Sequence, residues 1–254
     1  MSSDTLVVIP ARIGSTRFPG KVLADLGGRP VVEWCRRAAV RAGVGPVVVA
    51  TEDKKVARTL RALGADVVLT SSKCASGTDR VWEAARRRMN RSIRFVLNLQ
   101  GDEPFVRPAT LRRVVDVLRK KPRCDIATAV VPLERRAQIQ DPNVVKAAMA
   151  PDGRCLYFSR APIPYPRGIH KNGAVGYFKH IGVYGFRKQA LRRFVRFPPS
   201  PLERRESLEQ LRALEKGMSI HAAVVRDETI SIDTPEDLER ARRFIRRRRR
   251  NILK

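Results

Sequence analysis

No run of apolar residues in this 254-residue chain approaches the ~18–20 that a membrane-spanning helix requires. The opening Met1-Ser2-Ser3-Asp4 passes straight into an apolar segment, with neither the charged start nor the apolar core of a secretory signal. Cysteine is scarce. Cys35, Cys74, Cys124 and Cys155 lie far apart and form no close pair, which argues against a zinc ribbon or a redox pair. Reduced thiols in a cytoplasm are the expectation. Acidic side chains are also few, 25 against 52 Lys and Arg, for a net charge of +27. Aromatics, at 6%, do not interleave with the basic residues, and no recognised nucleic-acid module accompanies them, so specific nucleic-acid binding is not indicated.

The basic excess is mostly arginine spread over expected helix faces. The one true run is RRFIRRRRRNILK, residues 242–254. A solvated, partly frayed helix end fits that run, and so does weak, salt-sensitive contact with RNA or anionic lipid. With 43% hydrophobic residues the chain can bury a real core. It shows no internal repeat and no clean linker. The simplest organisation is one domain over 1–245 with a β-rich part inserted at roughly 126–200, followed by a basic tail, 246–254.

Strands and helices alternate through the first half. Apolar runs at 6–10, 47–51, 67–70 and 95–100 suit a parallel sheet buried on both faces. Between them, Pro30 and Gly43 bracket VVEWCRRAAVRA as a helix, a second helix runs from about 53 to 63, and a third covers roughly 78–89. That order predicts an α/β fold with a doubly wound, mostly parallel sheet and right-handed crossovers. In the second half, strands are expected at 126–133, 144–149, 155–159, 180–186 and 220–225. Helices are expected near 187–196, over 202–216 and from Pro235. A Pro- and Gly-rich loop, 162–179, reads as a lid or subunit contact.

Ligands of such sheets sit at the carboxyl ends of the strands, which directs attention to residues 11–21 and to the segment after Gln100. The first, VVIPARIGSTRFPGK, resembles a phosphate loop but lacks the Walker spacing and its Ser or Thr after Lys21. It offers Arg12, Arg17 and Lys21 with the hydroxyls of Ser15 and Thr16, so side-chain cations are the candidate anion ligands. A loop whose cations merely face solvent is the alternative. In QGDEPF, Asp102 is equally suited to holding magnesium against nucleotide phosphates or to starting a helix. In SIDTPEDLERA, Thr234 and Asp237 form a capping-box pair, whereas Asp233 stands before the cap, either as a second metal ligand or in a turn. CASGTDR reads as a helix N-cap or as a close approach to a base or ribose by the backbone of Ser76 and Gly77, from where Arg80 could reach a base or phosphate. Arg160, and His180 with Tyr184 on one face of a strand, could line a cleft or be structural. Glu203, Glu206, Glu209 and Gln210 lie on a helix whose acids read mostly as solvated face charges.

Taken together, these segments resemble the 3-deoxy-manno-octulosonate (Kdo) cytidylyltransferases. The matching pieces are IPARIGSTRFPGK, VVVATED, SGTDR, NLQGDEPFV, NVVKAAM, YFSRAPIPY, HIGVYGFR, SPLERRESLEQLR and IDTPEDLERAR, which cover nearly the whole chain in order. The resemblance implies a glycosyltransferase-A-like nucleotidyltransferase fold, a homodimer, and the Mg²⁺-dependent reaction of CTP with Kdo to give CMP-Kdo and pyrophosphate for lipopolysaccharide synthesis. It implies that Arg12, Ser15 and Lys21 hold the CTP phosphates and that Ser76, Gly77 and Arg80 frame the cytidine. Asp102 and Asp233 would then hold magnesium, with Gln100 near the sugar. Arg160, His180, Tyr184, Glu209 and Gln210 would contact the sugar acid, and residues 126–200 would carry sugar-binding and dimer-forming parts. Lys73-Cys74 and Ser231 depart from the family's usual residues. A related acid sugar, amino-Kdo or a sialic acid, is one alternative substrate. A basic RNA- or lipid-binding protein on an inactive transferase fold is the remoter one.

Overall fold

The computed structural model describes residues 3–14, 18–167, 176–226 and 230–252, the side chains of 248–252 excepted. The fold is mixed α/β with a mostly parallel sheet. The chain divides into two compact units, the first formed by residues up to Arg112 and from Glu228 onward, the second by Arg113–Asp227.

In the first unit, β1 (Thr5–Pro10), β2 (Val47–Thr51), β3 (Asp66–Leu69) and β4 (Phe95–Leu99) are all parallel, in the order β3-β2-β1-β4. Every residue of β1 and β4 is buried, as a sheet covered on both faces demands. The connecting helices are α1 (Val31–Ala42), α2 (Lys54–Ala62) and α3 (Gly77–Arg88). Each carries a stop or start signal that the sequence shows. Gly43 ends α1 at φ 64°, the Asp53 carboxylate accepts from Val56 N at 2.8 Å, and Ser76 forms a capping box with Asp79. Because β2 and β4 lie on opposite sides of β1, the chain reverses its direction of travel at the carboxyl ends of β1 and β4, the place where such sheets bind ligands. These two ends approach closely at Gly101, where a Cβ would lie 2.8 Å from the Pro10 carbonyl oxygen.

The C-terminal helix, Pro235–Ile252, belongs to this same unit. Ile232, Leu238, Ala241 and Ile245 bury against Leu26 and Val31, with Phe18, Trp34 and Phe105 packed around them. Each large aliphatic side chain buried there contributes roughly 1.5–3 kcal/mol. The expected basic tail continues the helix to Ile252, with Arg246 and Arg247 exposed.

The chain enters the second unit within α4 (Pro108–Lys120), a helix the sequence reading did not anticipate. Its Leu111, Val114, Val115 and Leu118 are all fully buried, a clean i, i+3, i+4, i+7 stripe. In this unit β5 (Ile126–Leu133) runs between an antiparallel β8 (Tyr177–Arg187) and a parallel β9 (Ile220–Val224). A short α5 (Arg136–Gln140), also unanticipated, precedes the antiparallel pair β6 (Lys146–Met149) and β7 (Cys155–Ser159). After β8 come α6 (Lys188–Phe194), α7 (Pro201–Glu206) and α8 (Gln210–Glu215). The single helix expected over 202–216 is therefore two. Ser207 breaks it by adopting the left-handed conformation (φ 52°) that ends α7. Among the described residues no helix is long and apolar enough to cross a membrane.

Candidate active site

At the carboxyl end of β1 the chain turns through Arg12, which is exposed, and closes a loop where Gly20 N donates to the Ile13 carbonyl at 3.0 Å. Gly20 holds φ 74°, open to glycine at no steric cost, and starts the short 3₁₀ turn Lys21–Leu23. Ser15, which the sequence reading placed on the nucleotide phosphates, lies outside the described residues. Lys21 emerges from the turn with its ammonium between two carboxylates. It donates to Asp102 Oδ2 at 2.6 Å and to Asp233 Oδ1 at 2.9 Å. Burial alone would pull the ammonium's pKa down, but the two carboxylates outweigh it, and the pKa stands above its ordinary value.

The pairing of Asp102 with Asp233 is built into the backbone. Asp102 follows β4, and its carbonyl accepts from Ile232 N at 3.0 Å, one residue before Asp233. Asp233 is held in turn where its N–H, like that of Thr234, donates to Asp237 Oδ2 at 3.1 Å. Asp237 N donates back to Thr234 Oγ1, so the capping box read from the sequence is present. Two carboxylates about 130 residues apart in the chain thus share one cation. Hard oxygen donors arranged around a positive charge suit Mg²⁺. No group of three or more His, Cys, Asp or Glu stands ready for a metal among the described residues, so phosphate oxygens and water would have to complete the ligand set.

The other expected nucleotide contacts divide. Ser76 and Gly77 begin α3, with the Ser76 hydroxyl committed to capping Asp79 N at 3.1 Å. Gly77 faces Gln100, whose Oε1 would lie 3.9 Å from an added Cβ. Gln100 itself donates to Asn98 Oδ1 at 3.3 Å. Arg80 points inward: it is 1% exposed, 2.7 Å from Glu52 Oε2, and donates to Thr70 Oγ1. In this conformation it braces the ends of β2 and β3. Glu52 follows Thr51 in VVVATED, and its acid at a strand end was the signal for this pairing that the sequence reading passed over.

In the second unit, His180 and Tyr184 do share a face, their rings 5.2 Å apart, but by a different route from simple alternation. A bulge opposite Thr128 and Ala129 shifts the β8 register between Ile181 and Tyr184. Thr128 Oγ1 donates to the Val183 carbonyl at 2.8 Å and sits 2.9 Å from His180 Nε2. With the hydroxyl proton committed, we assign Nε2 as the N–H donor, which leaves Nδ1 as an acceptor. Burial, followed by the nearby Lys179, lowers the His180 pKa to about 3. The ring is therefore neutral. Arg160, after β7, is gripped by carbonyls: Nε donates to Glu206 O at 2.7 Å, one terminal nitrogen to Pro142 O at 3.0 Å, and the other to Ser207 O at 3.5 Å. Glu209 and Gln210 begin α8, Gln210 buried and Glu209 half-buried.

Glu203 and Glu206, expected as solvated face charges, are engaged. Glu203 caps Ser200 N and takes a fork from Arg212 at 2.8 and 2.6 Å. Glu206 accepts from Ser159 Oγ at 2.6 Å and from Arg160 N at 2.9 Å. Both acids precede the break at Ser207 and keep their i, i+3 spacing on α7, but β7 and α8 supply Ser159 and Arg212 to them, so they are not open to solvent. Sequence reasoning also missed Lys146, fully buried in β6. A single cation inside the otherwise apolar VVKAAM was its visible signal.

A family model described as cytidylyltransferase matches residues 6–220. The 3-deoxy-manno-octulosonate cytidylyltransferase of Elusimicrobium minutum is 49% identical over 244 residues, 96% of this chain and 98% of that one. Its namesake from Azorhizobium caulinodans is 45% identical over 249 residues, covering 96% of each. Among solved structures, CMP:2-keto-3-deoxy-manno-octonic acid synthetase complexed with CTP superposes with a TM-score of 0.89 at 37% identity, over 97% of this chain and all of that one.

Proposed function

The chain belongs to the 3-deoxy-manno-octulosonate cytidylyltransferase family, and from that premise we propose how its residues divide the work. The protein moves a cytidylyl group from CTP to Kdo, giving CMP-Kdo and pyrophosphate. The observation that carries the division of labour is the cation held between Asp102 and Asp233 beside the β1 loop.

In the proposal, Asp102 and Asp233 hold Mg²⁺, which when bound neutralises phosphate charge and polarises the α-phosphate. Arg12 and Lys21 bind the phosphates and stabilise the departing pyrophosphate, with Ser15 assisting. Ser76 and Gly77, at the start of α3, frame the cytidine through their backbone, while Arg80 stiffens the strand ends that support them. Gln100 approaches the sugar from the end of β4. On the second unit, Arg160 pairs with the sugar carboxylate, which favours an acid sugar over a neutral one. His180, neutral and with Nδ1 free to accept, orients a sugar hydroxyl. A ring with a pKa of about 3 is too weak a base to take the proton of the attacking hydroxyl at neutral pH. Tyr184, Glu209 and Gln210 complete the sugar contacts. The anomeric oxygen attacks the α-phosphorus in line, so rate enhancement comes from positioning and electrostatics, with no covalent nucleophile.

A homodimer, a cytoplasmic location, a supply role in lipopolysaccharide synthesis and weak polyanion contact through residues 246–254 belong to the same proposal. So does a single-domain organisation over 1–245. Pyrophosphate release from CTP and Mg²⁺, with Kdo and sialic acid in parallel, tests the reading. Release with Kdo alone is expected. Release only with another acid sugar changes the substrate and keeps the mechanism, whereas silence with every sugar from a folded protein overturns it.

A further inference from the structure

Lys146 is a fully buried ammonium with no carboxylate in contact among the described residues. Its three donors go to backbone carbonyls: Asp141 O at 2.8 Å, and Val144 O and Arg160 O at 2.5 Å each. Burying a cation this way is costly, and an apolar residue would pack in a strand more cheaply. What the ammonium gains is control of two pieces of chain at once. It ties the 141–144 turn and it ties the main chain of Arg160. The same turn supplies Pro142 O, which holds the Arg160 guanidinium at 3.0 Å.

The contacts therefore close a ring. Lys146 fixes the backbone of Arg160 at one end and, through the turn, its guanidinium at the other. Glu206 fixes the remaining side by accepting from Arg160 N while its own carbonyl accepts from Arg160 Nε. Three of the guanidinium's five N–H groups are spent on carbonyls, leaving two for a ligand. Among the described residues no carboxylate pairs with the Arg160 guanidinium, and Lys146 adds a second positive charge behind it. A guanidinium so held is preorganised for an external carboxylate.

We propose that Lys146 is a positioning residue for acid-sugar recognition, setting Arg160 to receive the sugar carboxylate. The inference rests on the reading of Arg160 given above. It is tested by steady-state kinetics of Lys146→Met, with Arg160→Gln as the reference, using Kdo and its neutral carboxamide. For Lys146→Met the KM for Kdo is expected to rise on the order of tenfold, the effect of about one charge-assisted hydrogen bond. The KM for CTP should stay within about threefold, and the preference for acid over amide should shrink by a similar tenfold.

A merely structural loss would lower both sugars' kcat/KM equally and leave the preference unchanged, which would overturn the inference. If Arg160→Gln also leaves the preference intact, the reading of Arg160 has failed. If only Lys146→Met leaves it intact, the positioning role alone has failed. Lys146→Gln, which keeps two donors and loses the charge, covers a Met variant that does not fold. It should show the same compression, and an unchanged preference there is equally fatal.

Discussion

His180 offers the sharpest physical test, because its burial makes a prediction about pH that its chemistry alone would not. The ring is packed between Phe158 and Tyr184, at 5.1 and 5.2 Å, and bonded to Thr128. Its pKa falls from 6.5 to about 3. A base whose folded pKa is depressed stabilises the fold only while it is neutral in both states. That contribution is complete above about pH 6.5 and is lost as pH falls toward 3. At about 1.4 kcal/mol per unit, the full span is worth roughly 5 kcal/mol, and by pH 5 about 2 kcal/mol should already be gone. Other groups titrate over this range, so the comparison is made against His180→Gln, which keeps a polar group and removes the titration. Urea unfolding at pH 7.5 and 5.0 should show the wild type losing about 2 kcal/mol more than the variant. With three histidines in the chain, the imidazole signal can be assigned by NMR and followed directly. Equal losses in the two proteins, or a ring that titrates near 6.5 in the folded state, would refute the argument and reopen His180 as a proton acceptor.

Three further outcomes are expected. Asp102→Asn and Asp233→Asn should each abolish turnover while circular dichroism and the melting temperature report an intact fold; near-normal rates in either would break the metal assignment. Gly101→Ala places a Cβ 2.8 Å from the Pro10 carbonyl, so it should destabilise by roughly 1–3 kcal/mol and raise the KM for CTP. An unchanged melting curve would mean that the two strand ends are not tightly apposed. Deleting residues 246–254 leaves Ile245 in its core, so turnover should stay within a few-fold while retention on heparin at low salt falls. A folded but inactive truncation would show that the tail does more than carry charge.

Much of the first unit was legible because its signals are local. Pro30 and Gly43 mark α1, Asp53 and Ser76 start their helices, and β1 is apolar from Leu6 to Pro10. The meeting of Asp102 with Asp233 was expected from two strand ends in a doubly wound sheet, but only Asp102 follows a strand. Asp233 lies in irregular chain before the C-terminal helix, held by the bond from Ile232 N to the Asp102 carbonyl. That Lys21 would stand between them was not expected, since it depends on where one 3₁₀ turn aims a four-carbon side chain. The inward pairing of Arg80 was not legible for a related reason. SGTDR placed it at the start of a helix, but its partner Glu52 comes from another strand end, a pairing only the packed sheet creates. In the second unit Ser207 carried no mark of its left-handed turn, as a glycine would have, and so α7 and α8 were read as one helix. The partners of Glu203 and Glu206, Arg212 and Ser159, come from other elements, which helix spacing alone does not show. The α4 stripe, by contrast, was present in the sequence and went unread.

The first unit is written in two pieces of chain, and the later piece brings both Asp233 and the apolar face of the C-terminal helix. A ribosome therefore finishes the whole second unit before it supplies either. Until then Leu26 and Val31 lack the residues that cover them, and Lys21 has Asp102 alone. Any product ending short of Asp233 can make the Lys21 turn but not the paired carboxylates. The site proposed for CTP would thus be completed at the end of synthesis, in the same event that seals the core.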